Sequence, residues 1–383
     1  MTNNIAYFDN CATTRVDEDV LSVLNRYHTQ EYFNPSARSS YSLKIANDLA
    51  SARSKIAKLL GSTDASEIYF TSGGTESDNI AICGCLRARK GNVVVTQAEH
   101  SAVYNTVVQL AGKGYEVRMA SVTPDGHIDI DDFVAKVDDN TLLACFMHVN
   151  NETGAVNDVK LINKLVKEKN PRTVTFSDGV QAVGKVKVNL RNLGVDLYSF
   201  SGHKIHCSKG TGVLYISKNC KVNALVQGGG QERGLRSGTE YVGGCVALAT
   251  ALQLATSLVD DNTSKYLHYK DIIRTALADV ADWKENCIEN CSPAIMSLAF
   301  CNIKGEVLLH MLEQYGIIVG TGSACSSQNK QSRIAKAIAL GKDYSEGLIR
   351  LSFSKYNSAD EVTLLAGKLR ECVLALRKTI LNL

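Results

Sequence analysis

Four short stretches carry residue types that do chemistry. In SFSGHKIH, Lys204 stands between His203 and His206 at the end of a β-prone run, with Ser201 just before. A lysine is costly to keep there without a task, so it reads as a solvated charge or as an amine for imine chemistry. In TSGGTESDN, residues 71–79, a strand-like run meets a helix start across Gly73-Gly74. Backbone N–H groups of such a turn face one point and the Thr75 hydroxyl adds a donor, so it is an anion cup or a plain capped turn. It has neither GxGxxG spacing nor a P-loop lysine, which disfavours dinucleotides and nucleoside triphosphates. In FSDGVQAVG, Asp178 ends a strand-like run and Gln181 follows three residues on. Such an acid either caps the next helix or faces a ligand at the carboxyl edge of a sheet. In GTGSACSSQ, residues 320–328, Cys325 has small neighbours, the setting of an accessible thiol, reactive or incidental.

His100, the pair Asn150-Asn151 and Arg350 also end strand-like runs. Taken together, these parts match the needs of pyridoxal phosphate. A cup anchors the phosphate, a carboxylate keeps the pyridine nitrogen protonated, and a lysine holds the aldehyde as an imine. An arginine beyond them would pair with an amino-acid carboxylate.

The elements that must position these residues alternate along the chain. Helical spacing appears at Val16, Val20, Val23 and Leu24, and again from about Ser42 through Ile45, Leu49, Ala52, Ile56 and Leu59, with Gly61 as a stop. Strand-like EIYFTSG, NVVVTQ, YEVRMA, TLLACFMHV, TVTFSD, DLYSFSG and GVLYIS are separated in part by helical stretches, among them 76–88. That order predicts an α/β fold, a largely parallel sheet with helices on both faces. From about residue 245 the chain is mostly helical until SLAF. GEVLLHMLEQYG, the strand GIIVG, the helix SRIAKAIAL, LIRLSFS and a final helix then predict a smaller α+β domain, closed by the N-terminal segment.

Bulk properties narrow the class. A length of 383 residues suits one large and one small domain, and a net charge of +3 gives no electrostatic case for nucleic acid or membrane partners. No apolar run is long enough for a membrane span, and the N-terminus lacks the pattern of a secretory signal. Twelve scattered cysteines, many in apolar runs, predict reduced thiols in a cytoplasmic protein. Cys287 and Cys291 sit four apart, but with no second such pair no metal site is expected.

The ordered motifs YFDNCATT, TSGGTESDN, AEHSAV, HVNNETGAV, SDGVQAVGK, SFSGHKIH, GGGQERGLRSGT and GSACSS closely resemble the cysteine desulfurases of the class V aminotransferase fold type. The resemblance runs from about residue 5 to 355, and GSACSS resembles the long-loop branch. It implies the fold type I of pyridoxal-phosphate transferases. The large cofactor-binding domain would be 14–255, with a seven-stranded, mostly parallel sheet. The small domain would be 1–13 with 256–383, carrying the cysteine loop at about 320–335.

Residue by residue, the resemblance implies Lys204 as the imine lysine, Asp178 at the pyridine nitrogen, and Gln181 on the phenolic oxygen with Asn151 nearby. His100 would stack on the ring and help move protons. Gly74, Thr75, Ser201 and His203 would bind the phosphate, with Thr239 reaching across from a second subunit of a homodimer. Arg350 and Asn151 would bind the substrate, L-cysteine. Lys204 would remove the Cα proton and Cys325 would take the sulfur as a persulfide, releasing alanine. A sulfur acceptor, an iron–sulfur scaffold or a thiolation enzyme, would follow. A selenocysteine lyase, an aminotransferase or a non-catalytic sulfur carrier are the alternatives. Three departures stand out: Cys11 where the family usually has alanine, Cys207-Ser208 in place of Gly-Pro, and QNKQSRIAKAIAL in place of an acidic-proline stretch.

Overall fold

The structure, a computed structural model, describes residues 5–86, 90–321 and 332–381. Cys325 lies outside the described residues. The first strand, β1 (Ala6–Phe8), is followed by helices α1 (Glu18–Thr29) and α2 (Ser40–Leu59). In α2 the predicted stripe is real: Ile45, Leu49, Ala52 and Ile56 are buried on one side, and the Ser39 hydroxyl caps the start by accepting from Ser42 N–H. Gly61 ends it at φ +73°, where a Cβ would collide with the Asn189 side chain at 2.6 Å.

The seven-stranded sheet follows: β2 (Ile68–Thr71), β3 (Asn92–Thr96), β4 (Glu116–Ala120), β5 (Thr141–Cys145), β6 (Val174–Asp178), β7 (Leu197–Ser201) and β8 (Gly212–Ile216). Its spatial order is β2-β8-β7-β6-β5-β3-β4. Only β8 runs against its neighbours; the other pairings are parallel. Strands β3, β7 and β8 are buried along their whole length, which is why NVVVT and GVLYI read as continuous apolar runs. Parallel strands put their carboxyl ends on one edge. The turns after β3, β5, β6 and β7 therefore open together, at the edge where such sheets bind ligands.

Helix α3 (Gly74–Cys85) starts two residues earlier than the spacing suggests, so Gly74 of the cup is already helical. Helix α4 (Ser101–Ala111) follows His100, which caps it. Among the described residues no single helix is long and apolar enough to cross a membrane.

A second hydrophobic cluster gathers Phe8 with Tyr269, Ile273, Leu298, Phe300, Leu351 and Leu369. It lies on strands β9 (Trp283–Glu285), β10 (Ile295–Phe300) and β12 (Leu348–Ser352), and on β11 (Ile317–Val319) paired in parallel with β1. Strand β9 escapes sequence reasoning because Trp-Lys-Glu is short and carries two charges. The helix expected over SRIAKAIAL stops at Ala337, since Ala339 turns to φ +50° and a separate turn of helix, Lys342–Ser345, follows. Strand β12 carries Arg350 to the carboxyl edge of the large sheet, where Gly320 bridges to it.

Candidate active site

A cleft of about 510 Å³ opens at that edge. It is lined by Gly74, Thr75, His100, Asn151, Asp178, Gln181, Ser201, His203, Lys204 and Arg350, each singled out by the sequence, and by Cys11, Asp78, Glu99 and Arg333. Thr239 is exposed and does not line the cleft of its own chain.

The cup is set by steric need. A Cβ on Gly74 would meet Val180 Cγ2 at 2.7 Å, and one on Gly212 would meet the Gly73 backbone at 2.6 Å. Strand β8 therefore packs directly under the turn that starts α3, leaving its first N–H groups, Thr75 and Ser201 at the cleft floor. His203 stands beside them, its Nδ1 3.1 Å from Thr13 Oγ1. Burial, with Lys204, Lys209 and Lys185 nearby, lowers its imidazole to about 4, so it enters the cleft neutral.

Lys204 follows β7 on a turn of 3₁₀ helix, Gly202–Lys204. Its Nζ donates to the Cys11 and Ala12 carbonyls at 2.6 and 2.7 Å. Burial first, then repulsion from Lys185, lowers the ammonium to about 8, which makes the neutral amine accessible near physiological pH. His206 belongs elsewhere: its Nδ1 meets the Arg15 carbonyl at 3.0 Å and its ring packs edge-on against Tyr356. Cys207 is fully buried, accepts from Thr211 Oγ at 3.6 Å and does not line the cleft, so the departure there is a packing substitution. Cys11 does line it, with Sγ 3.4 Å from Gln181 Oε1.

Gln181 is engaged within the protein: Nε2 donates to the Cys11 carbonyl at 3.1 Å and Oε1 accepts from Lys185. Of the asparagine pair, Asn150 is buried and accepts from Glu152 and Thr153 N–H, whereas Asn151 faces the cleft. Arg350 donates to Asp9 Oδ1 at 2.6 Å and to the Asn151 carbonyl at 2.9 Å. Its buried Nε has no hydrogen-bond partner, an orphan donor that a ligand acceptor would satisfy.

Two buried acids that the sequence did not single out, Asp78 and Glu99, join Asp178 at the cleft. Asp78 and Glu99 are 1% exposed and Asp178 is 5% exposed. Oxygens of Asp78 and Asp178 and a ring nitrogen of His100 lie within 4.8 Å of one another. His100 accepts from Ala102 N–H through Nδ1 at 3.2 Å, which fixes the tautomer that leaves Nε2 free. Its ring is open to the cleft yet walled by protein, and that desolvation lowers it below the usual histidine range. Two buried carboxylates this close cannot both be charged at ordinary cost. Burial and the Asp178 charge push Asp78 well up, against one hydrogen bond from Ser199 at 2.6 Å. Asp178 is raised by burial too, but His100, the Val180 N–H and Lys204 favour its anion. The proton belongs on Asp78 and the charge on Asp178. Glu99, raised by burial to about 7, accepts from Thr96 and Met147 N–H.

The sign of the resulting pH effect is fixed. A carboxyl raised on folding contributes fully below the ordinary carboxylate range and loses stability as pH rises toward its folded value. Asp78→Asn removes that loss, so the ligand-free protein's melting temperature is expected to fall less steeply from acid to neutral pH than that of the wild type. A thermal melt series across pH measures it; an unchanged slope would mean that Asp78 holds no extra proton.

Comparison with known proteins places this geometry. Residues 6–365 match the aminotransferase class-V family. A cysteine desulfurase of a Nostoc species is 38% identical over 379 residues, spanning 98% of this chain and 94% of the relative. A solved structure titled a NifS-like protein superposes with a TM-score of 0.91 at 34% identity, covering 97% of this chain and 100% of that one. Another, titled SspA in complex with cysteine, superposes at 0.81 with 28% identity, covering 92% and 99%.

Proposed function

The chain belongs to the class-V aminotransferase family, and on that premise we infer that it is a cysteine desulfurase that takes sulfur from L-cysteine and leaves L-alanine. The observation that carries this reading is the convergence of Lys204, Asp178, His100 and Arg350 on one cleft beside a helix N-terminus. The residues fit pyridoxal phosphate. Gly74, Thr75, Ser201 and His203 would hold its phosphate, Asp178 its ring nitrogen and Lys204 its aldehyde. The Asp78 proton that leaves Asp178 anionic, and the lowered Lys204 ammonium, are the states such a group requires. When bound, the cofactor supplies an electron sink for a carbanion at the substrate Cα.

The chain's own residues do the rest. Arg350 receives the substrate carboxylate, its unpaired Nε adding a charge-assisted bond to those already made. Lys204, neutral at moderate pH, takes the Cα proton, and His100 Nε2 is placed to move protons nearby. Cys325 attacks the substrate sulfur as a thiolate; the Cβ–S bond breaks with its electron pair left on the carbon side, which is protonated to alanine, and the sulfur stays on Cys325 as a persulfide. The Cys325 assignment rests on GSACSS in the sequence. L-cysteine as substrate also draws support from the cysteine-bound structure among the similar folds.

The reading extends to a homodimer, with Thr239 serving the partner's cleft. Two observations favour it: Thr239 is surplus to its own cleft, and Tyr32 and Tyr41, each more than 60% exposed, stack on Phe33 as an exposed aromatic group. Thiols such as Cys145, Cys245 and Cys372 are buried in the apolar core without a bridge, which favours a reducing compartment such as the cytoplasm. The persulfide would pass to an acceptor protein serving iron–sulfur assembly or thiolation.

The test is stoichiometric. The purified protein, supplied with pyridoxal phosphate, a thiol reductant and L-cysteine, should release one alanine per sulfide; absence of alanine would sink the reading. L-selenocysteine run in parallel decides the rival lyase activity. Arg350→Lys is expected to raise KM for cysteine by roughly 10–100-fold through loss of the bidentate fork while retaining the bound cofactor's visible absorbance. Steady-state kinetics with an absorbance spectrum checks both halves.

A further inference from the structure

Outside the cleft lining, Lys270 is 0% exposed on the helix Val259–Ala276. Its Nζ donates to the Ser292 carbonyl at 2.9 Å and meets Cys291 Sγ at 3.3 Å. Glu285, at the end of β9, is held by Arg274 through bonds of 2.8 and 3.1 Å. Among the described residues no carboxylate forms an ion pair with Lys270. A fully buried lysine needs an anion or must lose its proton. Among the described residues, the hydrogen-bond partner of Lys270 that can become an anion is the Cys291 thiol.

A second thiol completes the cluster. Between the two cysteines, Ile288, Glu289 and Asn290 form a tight turn, with Asn290 at φ +48°. Both thiols turn into this loop, Cys287 Sγ donating to the Glu289 carbonyl at 3.6 Å and Cys291 Sγ to the Ile288 carbonyl at 3.3 Å. Cys287 is buried, whereas Cys291 is half-buried and reachable from solvent. The hydrogen bond from Cys287 and the charge of Lys270, working against burial, lower Cys291 to about 6. The Cys287 thiol moves in the opposite direction, so the pair divides into one thiolate and one proton-bearing neighbour. Activated thiolates are the ones placed beside a cation, and a nearby second cysteine is the usual resolving group.

We propose that Cys291 is a second reactive thiolate of this chain, a modification site for hydroperoxides, with Lys270 as its counter-ion and Cys287 as its resolving thiol. The Cys291 sulfur attacks the terminal oxygen of the hydroperoxide and the O–O bond breaks. The leaving alkoxide takes a proton from solvent and departs as the alcohol. Sulfur is oxidised by two electrons, to the sulfenic acid, and the peroxide is reduced by two. The Cys287 sulfur then attacks the Cys291 sulfur; the S–O bond breaks, and water leaves with the thiol proton. A Cys287–Cys291 disulfide remains, which a small thiol reductant reopens. The site is stapled to the cleft loop: Ser292 N–H donates to the Gly154 carbonyl at 2.7 Å and Val156 N–H to the Asn290 carbonyl at 2.9 Å.

This inference rests on the thiol cluster alone and stands or falls apart from the desulfurase reading. Purified holoenzyme is alkylated with iodoacetamide across pH, and Cys291 is followed by mass spectrometry in the tryptic peptide 285–304. Half-maximal labelling is expected near pH 6, and Lys270→Met should move it upward by a unit or more. Hydrogen peroxide should remove two hydrogens from this peptide, with fragment ions placing the bridge at Cys287 and Cys291 rather than Cys301. In Cys287→Ser, dimedone should trap the Cys291 sulfenic acid instead. Wild-type labelling with an ordinary thiol midpoint of about 8.5 would overturn the proposal, as would peroxide that leaves both thiols separate. Neither of those arms depends on a variant folding.

Discussion

Lys204→Ala is expected to lose the visible band of lysine-bound cofactor and to release sulfide from cysteine roughly 10²–10⁴-fold more slowly, the loss of one positioned proton-transfer group. The expectation follows from where the side chain sits. It follows β7, and the turn Gly202–Lys204 aims it across the cleft to the Cys11 and Ala12 carbonyls. Those carbonyls hold the ammonium at rest, and the lowered value of about 8 means the proton is shed at modest cost. Alanine removes the amine but leaves the cup and Asp178 in place. Pyridoxal phosphate is therefore expected to bind still, as the free aldehyde, with weaker retention on gel filtration. Added methylamine should restore part of the rate if proton transfer is the lost role. A variant that kept both the band and the rate would move the chemistry to another amine. Lys185, which bonds Gln181 beside the cleft, would be the first to try.

Much of this arrangement was legible because strand ends leave a signature. Residues 204, 178 and 100 each follow or close a run of β-prone residues, and parallel strands bring such ends together whatever the loops do, whereas Arg350 lies mid-strand in β12 of the smaller antiparallel sheet. Asp78 left no such signal. It lies mid-helix in TESDN, where an acid is ordinarily a solvated charge, and only the packing of α3 under β6 and β7 makes it a buried partner of Asp178. Glu99 was hidden by its neighbour: AEHSAV draws the eye to His100, while the glutamate turns inward to Thr96 and Met147. Arg333 was concealed differently. It opens a short helix in a stretch that reads only as amphipathic, yet its guanidinium caps the Gln97 and Glu99 carbonyls and stacks over Tyr104. Cys207 ran the other way. Three residues from Lys204 in sequence, it points into the core behind Gly202, since the 3₁₀ turn and the positive φ of His206 reverse the chain between them.

Cys325→Ser is expected to keep the cofactor band and the KM for cysteine but to lower sulfide release by at least about 10³-fold, the scale of losing a covalent nucleophile. Serine is close in size, so the change tests nucleophilicity rather than space: its hydroxyl stays protonated where a thiol ionises. The described residues on either side of it lie at the cleft. Thr321 lines it, and Ser332 Oγ donates to Glu152 Oε2 at 3.2 Å on the same rim. One rival nucleophile must be weighed, because Cys11 also lines the cleft and departs from the family's usual alanine. Cys11 is 3% exposed, its sulfur is tied to Gln181 Oε1, and its own carbonyl holds Lys204. A thiol so enclosed cannot carry a persulfide outward to an acceptor protein. Cys11→Ser is therefore expected to retain activity within a few-fold, and labelled sulfur from cysteine should appear on Cys325 in that variant and on no thiol in Cys325→Ser. Sulfur found on Cys11 in the second variant, with turnover intact, would reassign the nucleophile to the cleft wall.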